Sequence, residues 1–324
     1  MPRRTGLPKP VLATLCKSDL LQSLRAVDND EGARARVLAL ETDFRRRIGI
    51  NIGALPTNDA VFAKFRTNPF VLMMHSKNKG YKSISEIESD ILPAKVFSSM
   101  ETSSGRMVEQ VVFPVYGWEY VKSAMHSPDS VLDGRKQSGN VLCLATLKSG
   151  PACLNDEMSK DIAEGILANC EYWAAQYRVR EIDFTYGVLY GTKKQSNKKD
   201  WHILRNIEEK LTNGRMLESP NNQWYCKFRK RGITVTVTIR VGTDLWNYIG
   251  GTDSMFTELS ASVIRACITP SDVDPADYEF QISDLPCIIS TESVPDDFNV
   301  ALLQRSQLEW LFFFARHFCD NLID

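Results

Sequence analysis

The sequence lacks the residue spacings that mark the common cofactor and metal-binding proteins. Its eight cysteines are scattered, and no two of them have the CxxC spacing of a structural zinc site. Its four histidines lie far apart in the sequence, which disfavours a histidine-based metal centre. Walker A, GxGxxG, HExxH and GxSxG motifs are also missing, so the familiar nucleotide-binding and hydrolase classes are not indicated.

Long apolar runs and an excess of either charge are missing as well. The most apolar segment, Leu308–Phe318, is interrupted by Glu309 and Arg316 and is too short to span a bilayer, so it predicts a buried C-terminal helix. No apolar stretch follows the basic Met1–Arg4, which disfavours a signal peptide. We expect a cytoplasmic protein whose cysteines are reduced thiols. The net charge of -1 argues against a protein that coats nucleic acid, but leaves room for a local basic cleft.

Length and hydrophobic content leave room for one large domain or two smaller ones. The chain has 324 residues, of which 43% are hydrophobic, so a full globular core is expected. We predict a mainly helical N-terminal region over residues 1–100, a core over residues 101–268, and a C-terminal helical extension packed on that core over residues 269–324.

A compact pattern of strands and helices occupies the middle of the chain. Strands are predicted at residues 130–132, 141–147, 182–190 and 233–240. A polar turn at 133–139 is expected to join the first two strands into a hairpin. Helices are predicted at residues 83–104, 106–112, 156–177 and 259–268, with a Ser103-Ser104-Gly105 hinge between the first two. This order implies an α/β fold with a mixed β-sheet flanked by helices.

One pair of residues in this pattern suits phosphodiester chemistry. Asp129 opens the first strand of the predicted hairpin and Lys148 closes the second, so the two would meet at one edge of the sheet, with Thr146 on the same face as Lys148. An aspartate is a hard ligand for Mg²⁺, which the Leu147 carbonyl would supplement, and a lysine can orient water or stabilise an oxyanion. Taken alone, such a pair is more often a turn aspartate and a solvated lysine.

Seven short segments show a resemblance that extends this interpretation. They are Asn68-Pro69-Phe70, Gly105–Glu109, Asp129–Leu132, Leu144–Gly150, Gly187–Gly191, His202–Arg205 and Val241–Tyr248. In the same order, they resemble segments of type II restriction endonucleases of the PD-(D/E)XK superfamily, in particular the enzyme type that cuts the interrupted palindrome RGGNCCY. The resemblance covers about two thirds of the chain, over residues 68–268.

The resemblance implies a PD-(D/E)XK core and specific roles for three residues. Asp129 matches the metal-binding aspartate, Lys148 matches the catalytic lysine, and Glu109 matches a helix position where the superfamily often has an acidic metal ligand. A solvated helix glutamate is the alternative for Glu109. Thr146 departs from the motif, which expects Asp or Glu there, so either Glu109 supplies the second carboxylate or Asp129 binds Mg²⁺ with carbonyl and water ligands.

The activity implied by the resemblance is Mg²⁺-dependent cleavage of both strands of double-stranded DNA at a specific sequence, which we expect to be palindromic. Two-strand cleavage is most simply performed by a two-fold homodimer, for which the N-terminal region would serve dimerisation or DNA contact. A cognate DNA methyltransferase would protect the host. Two other functions stay open: a repair nuclease without sequence specificity, and a non-catalytic DNA-binding protein with a degenerate nuclease core.

DNA binding would require phosphate contacts from basic groups, for which the sequence offers several candidates. Any one such basic cluster is most often an ordinary solvent-exposed surface segment. The first is the lysine loop, which holds Lys193, Lys194, Lys198 and Lys199. The second is the basic segment with Lys227, Arg229, Lys230 and Arg231. Arg45–Arg47 form a third, and backbone N–H groups at Ser104 in the hinge are a further candidate.

Overall fold

A computed structural model describes residues 9–55, 69–81, 84–122, 127–211, 215–218, 222–270, 285–291 and 293–324. The described residues up to Val115 are mainly helical, with one short strand among them. Their elements are β1 (Thr14–Cys16), α1 (Lys17–Asn29), α2 (Glu31–Gly53), α3 (Pro69–Lys79) and α4 (Ile84–Val115). The first two helices are separated at Asp30, whose side chain caps α2 by accepting a 2.6 Å hydrogen bond from the Ala33 N–H.

Strands and helices then alternate. The elements of this part are β2 (Glu119–Tyr120), β3 (Gly134–Ser138), β4 (Val141–Lys148), α5 (Asp156–Tyr177), β5 (Glu181–Val188), α6 (Lys199–Lys210), β6 (Arg215–Glu218), β7 (Trp224–Lys230), β8 (Ile233–Val241), α7 (Thr243–Gly250) and α8 (Met255–Cys267). The chain continues with α9 (Leu285–Ile289), α10 (Arg305–Arg316) and β9 (Asn321–Ile323). The helix predicted at 156–177 is confirmed with the same bounds as α5.

One mixed sheet contains β2 to β8, in the order β2-β3-β4-β5-β8-β7-β6. Strands β4, β5 and β8 run parallel, whereas the strands on both sides of them pair antiparallel. Lys148 lies beside Val188, and Val188 lies beside Val241, so the carboxyl ends of the three parallel strands meet. We call this end of the sheet the Lys148 edge. The predicted mixed α/β fold with flanking helices is confirmed.

Helices cover both faces of the sheet. The side chains of β4 alternate between these two faces, so the strand contributes to a hydrophobic cluster on each. On one face, Leu142 and Leu144 are fully buried in a cluster with residues of α5 and α6. On the other face, Ala145 and Leu147 join a cluster that contains residues of α1, α2, α4, α7, α8 and α10. The N-terminal and C-terminal helices therefore share one hydrophobic core with the sheet. No helix within the described ranges is long and apolar enough to cross a membrane.

The hairpin predicted around residue 133 is wrong in its first strand. Residues 128–131 form a turn, and β3 occupies residues 134–138, where a polar turn was expected. Polar residues suit β3 because charged side chains are common near the border of a sheet, where only β2 lies beyond it. Gly134 is required for close packing rather than for a turn, since a Cβ there would lie 2.5 Å from Phe113 of α4.

The helix hinge predicted at Ser103–Gly105 is also wrong. Helix α4 is continuous through these residues, and the Ser104 hydroxyl donates to the Glu101 carbonyl (2.8 Å). The Ser104 N–H lies inside the helix, where a carbonyl one turn earlier accepts it. The phosphate contact expected from a hinge at Ser104 therefore loses its structural basis.

A buried ionic network fastens the helices behind the sheet. Glu258 of α8 is fully buried and accepts two 2.7 Å hydrogen bonds from the Arg36 guanidinium of α2. It also accepts hydrogen bonds from the hydroxyls of Tyr116 (2.6 Å) and Ser254 (2.9 Å). Because a buried carboxylate is costly without partners, this network fixes how α2 and α8 pack.

Replacement of Arg36 by methionine is expected to destabilise the fold. Arg36→Met removes the only cation bonded to the buried Glu258 among the described residues, so the free energy of unfolding should fall by about 3–5 kcal/mol. Chemical denaturation monitored by circular dichroism measures this change. Arg34→Met, at an exposed position of the same helix, is the matched control and should change stability by less than about 0.5 kcal/mol. Equal effects of the two substitutions would contradict the role of the network.

Candidate active site

Three elements converge at the Lys148 edge. The backbone N–H of Asp133, just before β3, donates to the Ala145 carbonyl of β4 (2.8 Å). Helix α4 passes close to the end of β4, since a Cβ added at Gly105 would lie 3.5 Å from the Ser149 Cβ. This arrangement brings together side chains that are far apart in the sequence.

Asp133 is the carboxylate that contacts the end of β4. Its Oδ2 accepts a 2.6 Å hydrogen bond from the Leu147 backbone N–H and a longer one, 3.3 Å, from the Thr146 hydroxyl. Burial raises the pKa of Asp133 above its ordinary value, while the Leu147 N–H, the Lys148 charge and Thr146 act in the opposite direction. Asp133 is not among the site residues predicted from the sequence, because residues 133–139 were expected to form a turn. An aspartate thirteen residues before Thr146, next to apolar Leu132, was the available signal.

Glu109 lies on α4, close enough to Asp133 and Lys148 for their charges to affect its pKa. It is only 8% exposed, and it is one of the few buried carboxylates in the described ranges. Burial and then the charge of Asp133 raise the pKa of Glu109 from 4.5 to about 8, whereas Lys148 and Arg106 oppose the shift. The two carboxylates and Lys148 therefore form one interacting group. Glu109 and Lys148 were both singled out from the sequence.

The last three residues of β4 are Thr146, Leu147 and Lys148. Thr146 is buried and points its hydroxyl at Asp133, while the Leu147 side chain is buried in the core on the other face. Lys148 is half-buried, and its charge acts on both Glu109 and Asp133. The strand thus presents a hydroxyl, a backbone N–H and an ammonium group to the two carboxylates.

Asp129 takes a different position from the one expected. It lies in the turn before β3, where its Oδ1 accepts a 2.9 Å hydrogen bond from the Trp173 indole of α5. Its Oδ2 lies 3.7 Å from the Arg135 guanidinium. The expected meeting of Asp129 and Lys148 depended on the strand at 130–132, which the structure replaces by a turn. The contacts of Asp129 are those of a residue that fastens the turn to α5.

Most of the lysine loop is engaged within the protein. Lys198 donates to the carbonyls of Lys194 (3.1 Å) and Ser196 (2.8 Å), and Lys199 forms a 2.7 Å ion pair with Asp156. Lys193 donates to the Asn222 carbonyl and lies over the Trp224 ring. Lys194 is exposed. The loop follows β5, so it does lie on the side of the Lys148 edge.

The basic segment lies on β7 and just after it. It starts away from the Lys148 edge and ends at the opposite end of the sheet. Lys230 pairs with Ile233 at the start of β8, whereas Val241 is at the Lys148 edge. At about 3.3 Å per residue, these ends of β8 are roughly 26 Å apart. Lys230 and Arg231 each lie 3.0 Å from Glu171 of α5. Lys227 and Arg229, also on β7, are exposed.

No group of three or more His, Cys, Asp or Glu side chains that could hold a metal ion occurs in the part of the chain that the structure describes. The site at the Lys148 edge offers two carboxylates, Glu109 and Asp133. Any further ligands would be backbone carbonyls or water molecules, as is common for Mg²⁺.

Comparison with known proteins identifies the family. A family model described as type II restriction endonuclease EcoO109I matches residues 44–266, which is more than half of the chain. None of the curated proteins compared with the chain matches it. The matched region contains Glu109, Asp133 and Lys148. The chain therefore belongs to the EcoO109I family of type II restriction endonucleases, which cleave double-stranded DNA at specific sequences.

Proposed function

We propose that Glu109, Asp133 and Lys148 are the active site of a Mg²⁺-dependent restriction endonuclease with a PD-(D/E)XK core. The observation that carries this proposal is the convergence of the buried Glu109 carboxylate, the half-buried Asp133 carboxylate and Lys148 at the Lys148 edge. In this proposal Asp133, rather than Asp129, is the aspartate of the motif. Glu109 supplies the second carboxylate, in place of the Asp or Glu that the motif has at the position of Thr146.

The residues fit a magnesium ion by their chemistry. Glu109 and Asp133 offer hard oxygen ligands, and the Leu147 carbonyl is a further candidate. Burial and repulsion by Asp133 raise the pKa of Glu109 to about 8, because the ionised carboxylate is unfavourable there. A bound divalent cation would stabilise the ionised form. When bound, Mg²⁺ would stabilise charge on the scissile phosphate and lower the pKa of a water ligand.

The protein's own groups have separate parts in the proposed reaction. Lys148 orients the attacking water and stabilises the negative charge that develops on the phosphate. The Leu147 N–H and the Thr146 hydroxyl hold the Asp133 carboxylate in a fixed direction. Lys194, exposed on the lysine loop, is our candidate there for a phosphate contact beside the site.

We also propose that two copies of the chain form a dimer that cuts both strands of a palindromic sequence. Helix α3 supports this, because none of its residues is buried and Val71, Met73 and Met74 are each more than half exposed. An eleven-residue helix is marginal in water without packing, and His75 and Lys79 of α3 contact α4 through the polar side chain of Asp90. A second copy would cover this apolar face. A DNA methyltransferase is the expected genetic partner.

Cleavage assays with site variants test the proposed site. Lys148→Ala and Asp133→Asn should each slow Mg²⁺-dependent cleavage of phage DNA by at least about 100-fold, because the first removes the cation beside the reacting phosphate and the second removes a carboxylate ligand of Mg²⁺. Asp129→Asn is the matched control and should stay within a few-fold of the original activity, since an amide oxygen can still accept from Trp173.

The pattern of products separates the alternatives. Discrete fragments support a sequence-specific enzyme, while a smear would indicate a nuclease without base specificity. DNA binding with no cleavage across divalent metals would indicate a degenerate core, an alternative that Thr146 favours. Loss of activity in Asp129→Asn but not in Asp133→Asn would overturn the assignment of Asp133.

The stability of the metal-free protein should depend on pH through Glu109. Its folded pKa of about 8 lies above the ordinary 4.5, so between these values the folded state holds more protons than the unfolded state. The free energy of unfolding should therefore fall as pH rises, at up to about 1.4 kcal/mol per pH unit from this group. Glu109→Gln should weaken this slope in denaturant titrations, since glutamine stays neutral.

Glu101→Gln, at an exposed position of α4, is the control for this experiment and should leave the slope unchanged. Added Mg²⁺ should stabilise the original protein at high pH more than it stabilises Glu109→Gln. Identical pH profiles for the original protein and Glu109→Gln would contradict a buried, titrating Glu109.

Charge placed on α3 should weaken the proposed dimer. Met73→Asp combined with Met74→Asp puts two carboxylates on the apolar face, so sedimentation velocity should show a shift from dimer to monomer. Asn78→Asp, at an exposed position of the same helix, is the control and should keep the dimer. A monomeric original protein, or a double variant that stays dimeric, would exclude α3 as the interface.

A further inference from the structure

A polar groove between α2 and α4 is not used by the site described above. It has a volume of about 580 Å³ and is lined on the α2 side by Arg47, Ile50 and Asn51. The α4 side contributes the remaining residues, which are Lys95, Ser98, Ser99, Thr102, Ser103, Arg106, Met107 and Gln110. These positions on α4 recur every three or four residues, so they form one stripe along the helix.

The charge of the groove has a single sign. Arg47, Lys95 and Arg106 are cationic, and none of the lining residues that the structure describes carries a carboxylate. Arg47 donates through one guanidinium nitrogen to the Gln110 side chain, but its buried Nε has no partner among the described groups. In a chain with a net charge of -1, this is a local concentration of positive charge.

The groove leads to the proposed active site. Arg106 is about one helical turn before Glu109, and Gly105, the residue before Arg106, packs close to Ser149, the residue after Lys148. From Lys95 to Gln110 the stripe extends over fifteen residues, or about 22 Å at 1.5 Å per residue. Along a duplex this length corresponds to roughly six phosphates of one strand.

We propose that the α2–α4 groove binds the sugar-phosphate backbone of the substrate DNA on one side of the cleaved bond. The inference rests on the proposed function, because it takes DNA as the substrate of the Glu109, Asp133 and Lys148 site. Arg47 and Lys95 neutralise phosphates, and the hydroxyls of Ser98 and Ser99 add neutral hydrogen bonds. Such contacts carry no sequence information, so the groove provides affinity and register rather than base recognition.

The salt dependence of DNA binding tests this proposal. Binding of a fluorescent duplex of mixed sequence is measured by anisotropy in EDTA, where no cleavage occurs, over a range of salt concentrations. Lys95→Gln should weaken binding and reduce the slope of log K against log salt concentration by about 0.9, the value for one phosphate contact. Arg47→Gln combined with Lys95→Gln should reduce it by about twice that amount.

Lys160→Gln, an exposed lysine on α5 that is 4.0 Å from Glu164, is the matched control and should keep the original slope. Thermal unfolding checks that Lys95→Gln leaves the fold intact. An unchanged slope in Lys95→Gln and in the double variant overturns the proposal. A reduced slope that is accompanied by altered subunit association in sedimentation experiments also overturns the proposal. The groove would then belong to the dimer interface.

The result is separable from that of the proposed function. A reduced slope in a protein that cleaves no DNA with any divalent metal would support the groove while rejecting the nuclease activity. Discrete cleavage products together with unchanged slopes in both variants would support the nuclease and reject the groove.

Discussion

The Asp133 carboxylate is held at the end of β4 by a 2.6 Å hydrogen bond from the Leu147 backbone N–H. A backbone donor inside a strand cannot rotate away, so the sheet itself sets the direction of this largely buried carboxylate. Glu109 is placed beside it by the packing of α4, and Lys148 by the last residue of β4. The proposed site therefore depends on helix and sheet geometry rather than on loops, which favours a fixed arrangement of its groups.

The same arrangement costs stability in the absence of metal. Burial and the charge of Asp133 raise the pKa of Glu109 to about 8, so ionising both carboxylates is unfavourable until a cation compensates them. Thr146 limits this cost, because a carboxylate there would add a third negative charge next to Asp133. The Arg36–Glu258 network separately fixes the packing of α2 against α8.

Patterns that depend on burial were predictable from the sequence, and those that depend on tertiary packing were not. Helix 156–177 and the strand that begins at Ile233 follow from apolar periodicity, and both were confirmed. The polar strand β3 has no such signal, because its residues suit the border of a sheet and Gly134 is dictated by Phe113 of α4. The expected strand drew attention to Asp129, whereas we propose Asp133 as the aspartate of the site. The pair Glu109 and Lys148 was not affected, since each lies on an element that was recognised.

The position of a bound divalent cation tests the central proposal most directly. Crystals soaked with Mn²⁺, which has an anomalous signal that Mg²⁺ lacks, would locate the ion without reference to activity. We expect one anomalous peak coordinated by the carboxylates of Asp133 and Glu109, near the Lys148 side chain. A peak bound by Asp129, or one that leaves Asp133 and Glu109 without metal, would contradict it.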